Sequence, residues 1–207
     1  MSSSYKSLVV GIAGGTASGK STLCRMICES MPTLTATLRH DDYYRDNSHL
    51  SENERARINF DSLEAIETEL FVEHLSHLRN HETVESPKYD FASHARTHET
   101  RQVSVAPIII AEGIMVLAEP SIREHLDLSL FVDLDDDLRF IRRLQRDRQE
   151  RGRDVESIVS QYQETVKPFH DRVVEASKEF ADLIVQTQQF ERIVSAIESL
   201  VQLQYKA

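Results

Sequence analysis

"SLVVGIAGGTASGKSTLCRMICES", Ser7 to Ser30, decides how the rest of the chain is read. Its first part, Ser7–Ala13, is an apolar run suited to a buried strand, and its last part, Lys20–Ser30, repeats apolar residues at helical spacing through Leu23, Met26 and Ile27. Between them Gly14-x4-Gly19-Lys20-Ser21 satisfies the phosphate-binding loop pattern in the strand-to-helix context that the pattern requires. Glycines let successive backbone N–H groups turn toward one anion, and the helix N-terminus adds partial positive charge. Gly14, Gly15, Thr16, Ala17, Ser18, Gly19, Lys20, Ser21 and Thr22 are therefore expected to cradle nucleotide phosphates. Lys20 would reach the β- and γ-phosphates, and Ser21 would offer its hydroxyl to Mg²⁺.

Outward from this stretch, apolar runs at Leu34–Leu38, Ile108–Ala111, Leu128–Asp133 and Leu183–Val185 read as further short strands. Helical periodicity separates them at Leu63–Asn80, Asp136–Glu150, Asp154–Lys167 and Glu191–Tyr205. The alternation predicts an α/β protein with a parallel sheet covered by helices. Ser86–Val105, "SPKYDFASHARTHETRQVSV", is polar, aromatic-bearing and rich in turn residues, which suits a β-hairpin or long insertion over the sheet.

The 207 residues, 40% apolar and 28% charged with six glycines and five prolines, have the composition of an ordinary globular protein and suffice for one domain. No apolar run is long enough to span a bilayer, and "MSSSYKS" lacks a secretory core, so a cytoplasmic protein with no membrane contact is expected. The net charge of −10 argues against a broad nucleic-acid-binding face. Cys24 and Cys28, four apart on one predicted helix, suit small reduced core residues. His74, His77 and His81 share one side of a predicted helix and read as a solvated face.

Three constellations could act on a bound nucleotide. Ile108–Glu112 ends an apolar strand in a carboxylate; this suits a solvated terminus, but beside a phosphate loop a metal role for Glu112 is favoured. "LRHDDYYRD", Leu38–Asp46, places Asp41 and Asp42 where a parallel sheet's C-terminal edge opens, either as a helix-capping turn or as the proton acceptor for an attacking hydroxyl. Tyr43 or Tyr44 would offer a flat face to a ring. Seven arginines fall between Arg139 and Arg153. At helical pitch Arg139, Arg142, Arg143 and Arg146 share a face opposite Leu138, Ile141 and Leu144, which predicts a buried apolar side and an offered guanidinium side. That side suits a solvated face, or, with Gly152 permitting a bend between Arg151 and Arg153, a lid that closes on phosphates. A guanine-reading Asn-Lys-x-Asp segment and a Leu-Ser-Gly-Gly signature are both missing from the sequence, which excludes the GTPase and ABC ATPase readings.

"GIAGGTASGKST", "HDDYYRD", "NFD", "YDFASHARTHET", "IIAEGI", "RRLQRDRQERGRD" and "SQYQETVKPFH", in that order from Val9 to Ile184, resemble the uridine kinase (uridine–cytidine kinase) family of P-loop nucleoside kinases. The resemblance implies one domain over 1–207 with the three-layer P-loop kinase fold, a substrate-binding hairpin at 86–105 and an arginine-rich lid region at 139–161. It implies phosphoryl transfer from ATP or GTP, with Mg²⁺, to the 5′-hydroxyl of uridine or cytidine in pyrimidine salvage. By matching position, Asp41 would be the catalytic base, Asp61 and Arg143 would hold the ribose hydroxyls, and Tyr44 and Phe60 would surround the nucleoside. Tyr89 and His94 would read the pyrimidine, Arg153 and Gln161 would make further substrate contacts, and Arg146 and Arg151 would face the phosphates. Glu112 with Ser21 would form the magnesium site, and a cytoplasmic homotetramer is implied.

The chain departs from the family where "NFD" continues as Ser62-Leu63 in place of His-Pro. Ser62 is expected to cap the following helix. Two other readings stay open: a kinase of the same fold acting on another hydroxyl, as phosphoribulokinases and pantothenate kinases do, or a nucleotide-binding regulatory module without transfer activity.

Overall fold

Parallel strand pairing organises the molecule. In a computed structural model, which describes residues 6–55, 58–91, 93 and 95–205, the chain runs β1 (Leu8–Ala13), α1 (Lys20–Ser30), β2 (Thr35–Arg39), a 3₁₀ turn His40–Tyr43 and a short α2 (Glu52–Arg55). It continues through α3 (Thr68–Arg79), β3 (Val84–Asp90), β4 (Ala95–Val103), β5 (Ile108–Glu112), α4 (Pro120–Arg123) and β6 (Leu128–Val132). Then follow α5 (Asp136–Arg151), α6 (Val155–Gln161), α7 (Lys167–Phe169), β7 (Leu183–Val185) and α8 (Phe190–Tyr205). The sheet order is β2-β5-β1-β6-β7, all parallel, and β3 with β4 forms a separate antiparallel hairpin. All five strands expected from the apolar runs are present.

Alternate residues of the central strands feed two cores, as the two-residue period of a strand requires. Val10, Ile12, Ile108, Ile110, Leu130 and Val132 pack with Leu23 and Ile27 of α1 and with Phe190, Ile197 and Val201 of α8. On the other face, Val9, Leu38, Ile109 and Phe131 pack with Phe71, Leu75 and Leu78 of α3. Layers of helix on both faces make the three-layer α/β fold. Each of these buried side chains stabilises the fold by about 1.5–3 kcal/mol. Cys24 is buried in the first of these cores and Cys28 packs against it half-buried, both as free thiols. Among the described residues, no helix is long and apolar enough to cross a membrane.

Register fixes where the site forms. Glu112, the last residue of β5, stands opposite Ile12 of β1 on one side and Arg39 of β2 on the other. The loop after β1 and the turn after β2 therefore leave the sheet beside the Glu112 carboxylate. The hairpin is tied to the same turn: Arg96 donates from Nε to the Tyr44 carbonyl at 2.7 Å and from Nη2 to the Tyr43 carbonyl at 2.9 Å, and it pairs with Glu67 at 2.8 Å.

Three expectations are corrected. The helix read over Leu63–Asn80 is broken: a 3₁₀ turn spans Leu63–Ala65, Ile66 is extended, and α3 begins at Thr68. The break arises because Ile66 bridges antiparallel to Tyr44, with Glu67 donating to the Tyr43 carbonyl and Arg45 to the Ala65 carbonyl, both at 2.9 Å. Ser62 precedes the 3₁₀ turn without a side-chain cap; its hydroxyl donates to Glu64 Oε2 at 2.9 Å. The helix read over Asp154–Lys167 runs on to Val174, with π turns at Tyr162–Val166 and His170–Val174 flanking the segment that contains Pro168. A proline lacks the N–H that a regular turn uses, and wider turns absorb that loss.

Candidate active site

A cleft of about 830 Å³ opens at the C-terminal edge of β1, β2 and β5. Its floor is the phosphate loop. Gly14 has φ of +140° and lies so close to β6 that a Cβ there would stand 2.4 Å from the Val132 carbonyl oxygen, so only glycine fits. Thr16, Ala17, Gly19, Lys20, Ser21 and Thr22 line the cleft. Lys20 is buried and donates from Nζ to the Gly15 carbonyl at 3.1 Å. Burial pushes its pKa down, opposed by the carboxylates of Glu112 and Asp41.

Ser21 Oγ donates to Glu112 Oε1 at 3.2 Å. Burial pushes the Glu112 pKa up, with Lys20 acting against it. Asp41 stands on the adjoining wall, from the 3₁₀ turn after β2, with a covered Oδ1 that has no hydrogen-bond partner among the described residues. Burial raises its pKa too, and Lys20 opposes the rise. The neighbouring Asp42 is taken up structurally by two hydrogen bonds from Arg39, at 2.9 and 3.0 Å. An acceptor without a donor, beside a lysine and a hydroxyl–carboxylate pair, leaves Asp41 available to a ligand.

One end of the cleft is aromatic. Tyr44 packs edge-on against Phe60 at 5.6 Å and tilted against Tyr89 at 5.1 Å, and Tyr89 meets Phe91 at 5.2 Å. The buried Tyr89 hydroxyl has no partner among the described residues. Asp61 lines the same end and its Oδ2 accepts from Thr165 Oγ1 at 2.7 Å. His94 lies outside the described residues.

The opposite wall is arginine. Arg143 donates to Thr16 Oγ1 at 3.1 Å and to Gln161 Oε1 at 2.9 Å, and Arg153 donates to the same Gln161 oxygen at 2.5 Å. Arg146 and Arg151 also line the cleft, with the Arg151 guanidinium 4.6 Å from the centre of the Phe91 ring. Gly152 ends α5 with φ of +63°, a left-handed cap that reverses the chain between Arg151 and Arg153.

The faces of α5 depart from the expectation in part: Arg142 is exposed and Leu144 half-buried, as expected of their sides, but the others differ. Arg139 and Arg143 are buried, while Leu138 and Ile141 are 43% and 49% exposed. Amphipathic spacing orients a helix toward an apolar core; here α5 packs onto a polar cleft that supplies acceptors, so Arg139 and Arg143 turn inward. His74 is likewise not a purely solvated residue, because its Nδ1 lies 2.7 Å from the buried Tyr43 hydroxyl.

Sequence reasoning singled out neither Phe91 nor His170, which both line the cleft, nor Asp147, which lies behind its arginines. For Phe91 the signal was its place beside Tyr89 on the hairpin. For Asp147 it was the i±4 spacing to Arg143 and Arg151. His170 closes the "SQYQETVKPFH" motif, and its ring lies beside Gly15 together with the Arg139 guanidinium.

Residues 9–194 match the family model described as the phosphoribulokinase/uridine kinase family. A uridine kinase of Clostridium tetani is 46% identical over 183 residues, 88% of each chain. A uridine kinase of Alkaliphilus metalliredigens is 46% identical over 179 residues, 86% of each chain. Among solved structures, the phosphoribulokinase from Rhodobacter spheroides superposes with a TM-score of 0.64 at 15% identity, covering 87% of this chain and 70% of that one, and so shares the fold.

Proposed function

Because the chain belongs to the phosphoribulokinase/uridine kinase family, we propose that it transfers the γ-phosphoryl group of a nucleoside triphosphate to the 5′-hydroxyl of uridine or cytidine, giving the monophosphate. The observation that carries the reading is the meeting, in one cleft, of the phosphate loop, an Asp41 oxygen and an aromatic pocket with a Tyr89 hydroxyl, both atoms without a partner among the described residues.

The triphosphate lies along the loop and the helix N-terminus of α1, with the Lys20 ammonium turning from the Gly15 carbonyl to the phosphates. The nucleoside occupies the end formed by Tyr44, Phe60 and Tyr89, with Asp61 and Arg143 at its ribose and Arg153 and Gln161 as further contacts. Asp41 accepts the proton of the 5′-hydroxyl as that oxygen bonds to the γ-phosphorus and the bond to the β-phosphate oxygen breaks. Lys20, Arg146 and Arg151 neutralise the charge on the transferring oxygens. Most of the rate enhancement comes from this alignment and neutralisation, and the proton moves late.

Ser21 Oγ and the buried Glu112 carboxylate are a hard oxygen pair that would hold Mg²⁺. When bound, Mg²⁺ supplies charge neutralisation between the phosphates. ATP or GTP serves as donor, and the enzyme works in the cytoplasm as a homotetramer in pyrimidine salvage.

Release of ADP in the presence of uridine, cytidine, purine nucleosides, ribulose 5-phosphate or pantothenate tests the reading. Acceleration by the pyrimidine nucleosides alone is expected. Acceleration by another acceptor reassigns the substrate, and slow turnover indifferent to every acceptor indicates a regulatory module.

A further inference from the structure

Four arginines that line the cleft share one carboxylate. Asp147 is completely buried, on the face of α5 turned away from solvent, and does not itself line the cleft. Its Oδ1 accepts from Arg146 Nε at 2.9 Å, lies 2.8 Å from Arg146 Nη2 and stands 3.6 Å from Arg151 Nη1. Its Oδ2 is 3.6 Å from Arg143 Nε and 3.8 Å from Arg153 Nη1, and accepts no hydrogen bond from the described residues. The main-chain carbonyl of the same residue accepts the N–H of Gly152 and, at 3.1 Å, that of Arg153, closing the turn that brings Arg153 back.

Four cations around one buried anion leave a surplus of positive charge. Without the anion, guanidinium groups this close repel one another and spread apart. With it they stay grouped, yet only Arg146 is hydrogen-bonded to the carboxylate. Arg143, Arg151 and Arg153 are held at ion-pair distance, and the donors of Arg143 and Arg153 are partly engaged by Gln161. Such a grouping keeps its positive face for a ligand of opposite charge, and a polyphosphate is the ligand whose charge matches.

We propose that Asp147 is a positioning residue: the internal counter-ion that gathers Arg143, Arg146, Arg151 and Arg153 over the phosphate loop and presents them to the polyphosphate. It acts through the arginines and does not touch the reacting atoms. Its kinetic consequence rests on the phosphoryl-transfer reading above; its electrostatic consequence does not.

Asp147→Asn keeps the shape and removes the charge. In that variant the four arginines lose their shared counter-ion and a bound polyanion takes its place, so inorganic tripolyphosphate should raise the thermal midpoint by about twice the shift it gives the wild type, or more. With ATP and uridine, kcat should fall about 10-fold or more while KM for ATP stays level or drops, because charge attraction is kept and geometry is lost. Asp147→Glu should recover part of kcat. Equal tripolyphosphate shifts in variant and wild type, or kcat and KM worsening together in step with lost folded protein, overturn the proposal. So does an Asp147→Asn chain that fails to fold even in saturating tripolyphosphate. If wild-type protein phosphorylates no nucleoside, the proposed function fails, and the tripolyphosphate comparison still decides the role of Asp147.

Discussion

His40 opens the turn that presents Asp41, and its protonation couples acid to the stability of that turn. The ring is fully buried against Phe71, with Nε2 3.2 Å from Thr68 Oγ1 and Nδ1 without a partner among the described residues. Burial lowers its pKa from 6.5 to about 3. The folded chain therefore keeps His40 neutral where the unfolded chain takes up a proton, and stability is lost as pH falls from about 6.5 toward about 3. At pH 8 the contribution is negligible. At about pH 5 the unfolded state is favoured by about 2 kcal/mol relative to pH 8, from the ratio of proton binding in the two states. The raised pKa values of Asp41 and Glu112 act in the opposite direction, since their folded forms bind protons more readily. The quantity to measure is therefore the difference between wild type and His40→Gln. Urea unfolding at about pH 8 and about pH 5 should show the wild type losing about 2 kcal/mol more than the variant over that interval. Parallel losses in the two proteins refute the reasoning, because they would mean that His40 is protonated in the folded state as readily as in the unfolded one.

Other substitutions separate the parts of the cleft. Gly14→Ala sets a Cβ 2.4 Å from the Val132 carbonyl oxygen at φ of +140° and should cost about 1–3 kcal/mol in urea unfolding; an unchanged midpoint contradicts the close approach. Glu112→Gln should raise the Mg²⁺ concentration for half-maximal turnover about 10-fold or more, and an unaltered Mg²⁺ dependence removes Glu112 from the metal site. Asp61→Ala should raise KM for uridine about 10-fold with KM for ATP little changed, and should narrow the preference for uridine over 2′-deoxyuridine. Equal damage to both KM values would make Asp61 a structural partner of Thr165 and nothing more.

The sheet was legible because buried parallel strands are short, nearly continuous apolar runs, as at Ile108–Ile110, and the phosphate loop was legible because its glycines and lysine have fixed spacing. Asp41 and Glu112 could be placed from strand ends alone. The break at Ile66 could not, since it depends on pairing with Tyr44, far away in sequence. The orientation of α5 was misread for a related reason. Leu138 and Ile141 looked like core because no local signal says that Gln161 and Thr16, distant in sequence, would receive the arginines instead. Pro168 likewise looked like a helix end, and the π turns around it kept the helix going.

A single-turnover transfer of labelled γ-phosphoryl from ATP to uridine, run with wild type and with Asp41→Asn, tests the placement of the base most directly. The label should reach the 5′-oxygen in the wild type and do so about 10²- to 10⁴-fold more slowly in the variant, with ATP binding largely kept. Transfer at a near-normal rate in Asp41→Asn, or label on any oxygen other than the 5′, contradicts it.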